Sequence, residues 1–221
     1  MQQPVQHSIR NNSFWLSANR CLYWEEEKTL ILADLHFGKT GHFRKAGIAI
    51  PQTIYKEDLQ RLVASIQHFQ PKQLIIAGDL FHSRENKELD WFKRWRNDFP
   101  NTSFQLVKGN HDIFYDDWYY DAGLIVHDEE LSLNGFLFRH DPFQQPVPAN
   151  GDPAYFFCGH LHPGISIRGM ARQSLHFPCF YFTETHCVLP AFSHFTGTYS
   201  IAPKKGDAVF AIVKESVIKI E

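Results

Sequence analysis

The chain has 221 residues, of which 43% are hydrophobic, and its 22 Lys and Arg stand against 24 Asp and Glu for a formal charge of −2. That apolar content is enough for a sizeable core, read here as a single domain over residues 1–221. The near-neutral charge excludes a global field that gathers polyanions, and no apolar run approaches the ~18 residues of a membrane span.

In chain order, the first residues, Met1 to His7, carry no basic-then-apolar export pattern. Cys21, Cys158, Cys179 and Cys187 form no CxxC pair, so they are read as buried thiols of a protein in the reducing cytoplasm. Thr29 to Ala33 and Gln73 to Ala77 read as buried strands, and Phe104 to Val107 as a third. Pro51 suits the opening of a helix on which Leu59, Leu62, Val63, Ile66 and Phe69 keep helical spacing. Leu89, Phe92 and Trp95 mark a second helix ending before Pro100, with Trp91 and Trp95 read as core or interface packing. This is a βαβαβ unit, whose strands run parallel and whose ligands bind beyond the carboxyl ends.

The second half reads as short strands in a mostly antiparallel or mixed sheet: Leu131 to Leu133, Phe136 to Phe138, Ala154 to Phe157, Gly164 to Ile167, Leu175 to Phe182, His186 to Leu189, Asp207 to Val213 and Val217 to Ile220. The proline-rich stretch Asp141 to Pro153 is read as a loop, and Phe192 to Thr198 as a tight surface loop, with a rim of the site as the alternative.

Five segments carry chemistry: Asp34-Leu35-His36, Gly78-Asp79, Gly109-Asn110-His111-Asp112, Arg139-His140 and Gly159-His160-Leu161-His162. Carboxylate, amide and imidazole form the mixed donor set of borderline divalent ions, in contrast to the oxygen cage of calcium or a thiolate zinc site. The first three segments each follow a strand, which brings them to one sheet edge. Asp34 and His36 are two residues apart, so an extended backbone turns both to one side.

In this order the segments resemble the calcineurin-like metallophosphoesterase superfamily, over about Thr29 to Gly164. The resemblance implies an α/β fold, a four-layer αββα sandwich with two central mixed sheets. It assigns Asp34, His36, Asp79 and His162 to one divalent ion and Asp79, Asn110, His140 and His160 to another, with Asp79 shared. Manganese is the leading candidate, with iron or zinc as alternatives. Such a pair lowers the pKa of a bridging water, supplies hydroxide for in-line attack on a phosphodiester and stabilises both displaced oxygens. His111 faces the leaving group as general acid or contacts the phosphate, and Asp112 orients its loop or caps a turn.

His82 stands where protein phosphatases of the superfamily carry an aspartate, and is read as a catalytic-site or loop-packing residue. Gly78-Asp79-Leu80-Phe81-His82 resembles nuclease subunits of double-strand-break repair complexes. Ala33 to Lys39, Phe43 to Gly47, Phe138 to Pro142, Cys158 to Pro163 and Leu189 to Phe192 are similar to bacterial ligase-associated DNA damage response endonucleases or phosphodiesterases. That group implies DNA as substrate, with a repair ligase or helicase as partner. Lys39, Arg44 and Lys45 are candidates for guiding the strand, or a solvated loop cluster. Two other functions remain open: a phosphodiesterase for a small substrate such as a cyclic nucleotide, and a scaffold without catalysis.

Overall fold

Strand β4 (Thr29–Leu32) and strand β5 (Gln73–Ala77) are apolar and almost wholly buried, as strands covered on both faces must be. The computed structural model describes residues 3–39, 53–82, 87–143, 155–169 and 174–220. It pairs β4, β5, β6 (Ser103–Val107) and β7 (Leu124–His127) in parallel. Helix α1 (Thr53–Phe69) crosses from β4 to β5 and α2 (Lys87–Arg96) from β5 to β6, while a short α3 (Asp116–Asp121) precedes β7. Leu62 and Ile66 of α1, Leu89, Phe92 and Trp95 of α2 and Tyr119 of α3 form one core with Leu30, Leu74, Ile76 and Leu106 of the sheet. Trp91 is not in the core but 36% exposed, 100° around the helix from the fully buried Phe92.

Three strands ahead of β4 were not expected. β1 (Val5–Ile9), β2 (Asn12–Ser17) and β3 (Cys21–Trp24) extend the sheet by antiparallel pairing, for seven strands in the order β1 to β7. Arg10 and Asn11 turn the first hairpin with φ of 48° and 62°, the left-handed pair that matches strand twist.

The second sheet has nine strands: β8 (Glu130–Leu133), β9 (Phe136–Arg139), β10 (Tyr155–Cys158), β11 (Pro163–Arg168), β12 (Ser174–Phe182), β13 (His186–Val188), β14 (Tyr199–Ser200), β15 (Ala208–Val213) and β16 (Ser216–Ile220). Within it β9, β10 and β13 are parallel, and the hairpins β8–β9, β11–β12 and β15–β16 are antiparallel. The two mixed sheets face each other across Phe14, Trp24, Ile31 and Ile75 on one side and Phe136, Phe138, Phe157 and Phe180 on the other. This is the expected metallophosphoesterase sandwich, and all four cysteines are buried and free within it. The described helices all precede β7 and pack on the first sheet. The outer face of the second carries a smaller cluster of Leu137, Phe156, Cys158 and Val188. No helix among the described residues is long and apolar enough to cross a membrane.

Candidate metal centre

Where β4 and β5 end, their main chains stay laddered for several residues more. Asp34 N donates to Gly78 O at 3.1 Å, His36 N to Asp79 O at 2.9 Å, Phe37 N to Leu80 O at 2.9 Å and His82 N to Phe37 O at 2.8 Å. The segment is not the simple extended one expected from the spacing of Asp34 and His36. Both residues are left-handed, with φ of 55° and 49°, and Leu35 between them turns into the core. Asp79, His160 and His162 are left-handed too, at 51°, 69° and 49°. Each such non-glycine position costs about 1–3 kcal/mol, so surrounding packing must hold the chain there.

Two glycines make the convergence possible. At Gly78, with φ of +85°, a Cβ would stand 2.1 Å from His140 Nδ1. At Gly109 it would stand 2.2 Å from Asp79 Oδ1. Any side chain there would push His140, from the second sheet, away from the carboxylate of the first.

The resulting cluster is rich in acceptors. Ligand atoms of Asp34, His36 and His162 lie within 4.8 Å of one another, as do those of Asp34, Asp79 and His140. His162 Nδ1 donates to Gly197 O at 3.3 Å, which leaves its Nε2 lone pair facing Asp34 Oδ1 at 3.6 Å and His36 Nε2 at 3.4 Å. His140 Nδ1 donates to Ala77 O at 3.2 Å. Its Nε2 therefore presents a lone pair to Asn110 Oδ1 at 3.0 Å, Asp79 Oδ1 at 3.5 Å and His160 Nδ1 at 3.1 Å. Lone pairs aimed at one another repel unless cations sit between them, so this donor set fits divalent ions. Burial, then the nearby Lys39 and the other imidazoles, push the His36 pKa down to about 2, which keeps it in the neutral form that ligates metals. Burial raises the pKa of Asp79 against the opposing pull of His140.

Asp112 touches none of these ligand atoms. Its buried carboxylate accepts from Gly109 N at 2.9 Å, Phe81 N at 3.1 Å and Leu80 N at 3.4 Å, tying the loop after β5 to the loop after β6. Burial pushes its pKa up to about 7, against those backbone donors. His111 Nε2 lies 3.9 Å from Asp79 Oδ2 with its side chain 39% exposed, the reach expected of a group that meets a substrate. The His82 ring packs on that of His111, with centroids 4.5 Å apart.

Lys39 is half-buried beside the cluster and feels both Asp79 and Asp34, while burial lowers its pKa. Arg44 and Lys45 lie outside the described residues, as do His42, Phe43, Pro51 and most of the proline-rich stretch.

The tract 192–198 lies at the rim of the site, the alternative to a plain surface loop. Phe192 N donates to Ala33 O at 2.8 Å and Ser193 N to Asp34 O at 3.1 Å, and Gly197 O orients His162. A buried ion pair on α1 holds the tract: Arg61 bonds Asp58 at 2.8 Å and also reaches Phe192 O and His194. Arg20 adds bonds to Ala191 O at 3.1 Å and Ser193 O at 2.7 Å. These contacts run through main-chain carbonyls, which carry no signature in residue identity. The one sequence signal was a buried Asp and Arg three positions apart on an otherwise apolar helix face.

Paired mixed sheets with carboxylate, amide and imidazole groups meeting at their strand ends define a metallophosphoesterase. Residues 27–173, well over half of the chain, match the calcineurin-like phosphoesterase family model, and the chain belongs to that family. It is similar to a solved nuclease, MPE of Pseudomonas putida, at 30% identity over 99% of each chain with a TM-score of 0.80. A comparison with curated proteins found no match. The chain is thus a metal-dependent phosphoesterase of the phosphodiesterase or nuclease type.

Proposed function

We propose that the protein is a two-metal phosphodiesterase that cuts DNA during bacterial repair. The observation that carries the reading is the pair of overlapping ligand groups, Asp34–His36–His162 and Asp34–Asp79–His140, at the joint of the two sheets. In this reading Asp34, His36, Asp79 and His162 hold one ion, and Asp79, Asn110, His140 and His160 hold the other. Asn110 and His160 join the second set because His140 uses Nδ1 on Ala77 O and turns Nε2 toward them. When bound, two divalent ions lower the pKa of water and offset the charge gathering on the phosphoryl oxygens. Manganese suits the mixed nitrogen and oxygen donors, as do iron and zinc.

The chain's own residues supply the rest. His111, partly exposed beside Asp79, hands a proton to the leaving oxygen, and His82 holds its ring by packing. Asp112 keeps the loops carrying Asp79 and Asn110 in register, and Lys39 meets the phosphate chain. The similarity to a nuclease supports nucleic acid as the substrate. The resemblance to the ligase-associated group supports DNA, a cytoplasmic repair setting and a ligase or helicase partner.

The test is hydrolysis of bis-p-nitrophenyl phosphate by metal-stripped protein with and without manganese, beside Asp79→Asn. Manganese-dependent release that the substitution abolishes, with two ions bound to the unaltered protein, is the expected result. No release from protein shown to hold two ions would sink the phosphodiesterase reading.

A further inference from the structure

Two of the hollows formed by described residues adjoin the metal centre, and they differ in charge. One, of about 370 Å³, is lined by Lys39, His194, Phe195, Thr196 and Gly197. It opens beside His36 and His162: Lys39 N donates to His36 O at 3.1 Å, and Gly197 O accepts from His162. The other, of about 290 Å³, opens beside Asn110, His140 and His160, and its outer wall is Lys108, Asp128, Glu129 and Asp141.

On that outer wall the Lys108 ammonium is already engaged, with Asp116 at 2.5 Å and Asp128 at 2.8 Å. Glu129 adds negative charge that no ion pair among the described residues offsets, and Asp141 adds more, partly balanced by Arg139. In the first hollow, His194 accepts a hydrogen bond from Arg61 and so is neutral. The Lys39 ammonium makes no hydrogen bond or ion pair with the described residues, and it supplies the charge of that hollow.

The wall formed by Phe195 and Thr196 is built before any ligand arrives. Phe195 N donates to Ser193 Oγ at 3.1 Å and Thr196 Oγ1 to Ser193 O at 3.2 Å, on a tract that Arg20 and Arg61 clamp from beneath. A charged donor and an aromatic residue lining one preformed hollow are the pair that takes one nucleotide of a single strand, phosphate on the cation and base on the ring.

We propose that the Lys39–Phe195 hollow is the subsite for the nucleotide next to the bond being cut, and that the Glu129–Asp141 wall turns the anionic chain away on the other side. The inference rests on the nucleic-acid reading above. It gives the centre a direction: the substrate extends along the Lys39 side, and the acid-walled side accommodates little beyond the group released.

The experiment compares a single-stranded oligodeoxynucleotide with bis-p-nitrophenyl phosphate, which has no neighbouring phosphate, using manganese-loaded full-length protein at several salt concentrations. Lys39→Gln is expected to lower the ratio of kcat/KM for the oligonucleotide over the small diester roughly tenfold. It should also reduce the slope of log(kcat/KM) against log salt by about 0.7, the value for one phosphate contact on a single strand. Phe195→Leu should lower the same ratio without changing the slope, and Glu129→Gln should raise it.

Equal losses on both substrates for Lys39→Gln would put that ammonium on the scissile phosphate and overturn the subsite. An unchanged ratio in both Lys39→Gln and Phe195→Leu would overturn it as well. Wild-type protein that hydrolyses the small diester but no oligonucleotide would overturn the nucleic-acid reading first, and the subsite with it.

Discussion

The two sheets bring different chemistry to the same place. After β4, β5 and β6 of the first sheet come Asp34, His36, Asp79 and Asn110, oxygen donors apart from one imidazole. After β9 and β10 of the second come His140, His160 and His162, all imidazoles. The first set alone would crowd two carboxylates together, and burial already raises the Asp79 pKa. The second alone would be imidazoles with no carboxylate to offset the charge of a cation. The centre is thus a property of the sheet joint, and what keeps the sheets in register also keeps the ligands in reach. His140 shows this most directly, since it comes from the second sheet and is oriented by Ala77 O of the first.

His111→Ala tests whether the first sheet also supplies the proton. Removing a general acid costs roughly 100- to 10,000-fold in kcat. Bound metal, measured by elemental analysis, should be retained. An unchanged rate would take His111 out of the chemistry and leave the leaving group to solvent.

Gly78→Ala attacks the joint itself. A Cβ 2.1 Å from the His140 ring, at φ of +85°, adds crowding to backbone strain. The expected loss is about 2–6 kcal/mol in denaturant unfolding, the sum of both costs, together with weaker metal binding. Full metal affinity in a destabilised variant would show that His140 can shift without loss to the site.

Arg61→Met acts at a distance, through the clamp on the 192–197 tract. It leaves buried Asp58 without its ion-pair partner, a change that costs about 3–5 kcal/mol in comparable sites. The tract should loosen, and calorimetric titration should show the ion at His36 and His162 binding more weakly than the ion at His140. Equal weakening at both would mean that the whole joint had relaxed.

The smallest effect is in acid. Burial, Arg61 and Arg20 lower the His194 pKa to about 3, below its ordinary 6.5. As pH falls past 6.5 the unfolded chain takes up the proton first. The contribution is therefore complete above that pH and is lost as pH falls toward 3. His194→Gln should flatten the difference between urea midpoints at neutral and acid pH, and a parallel shift in both proteins would exclude His194 as its source.

Much of this was legible in residue order. Each ligand motif follows a readable strand, because a buried parallel strand must be apolar and the polar residue that ends it stands out. The strands of the second half were legible for the same reason, with turns such as Asn134-Gly135 between them, at φ of 45° and 83°. The N-terminal hairpins were not, since Val5–Ile9 sets three polar residues between its two apolar ends and so resembles an exposed segment until a partner strand is known. The left-handed backbone at Asp34, His36, Asp79, His160 and His162 was hidden as well. Nothing in an aspartate or histidine announces positive φ, whereas neighbouring glycines could have warned of crowding.

By itself the sequence determined the candidate ligands, their order, the parallel unit that carries the first of them and the family. These follow from chemistry local to each segment: hydrophobic periodicity, turn residues and donor type. Only the tertiary structure decided which lone pairs face one another, that Gly197 O orients His162, that Arg61 on α1 steadies that loop, and that one flank of the centre is cationic and the other acidic. Those features depend on packing between elements far apart in the chain and on main-chain atoms common to every residue, and so no residue code could have specified them in advance.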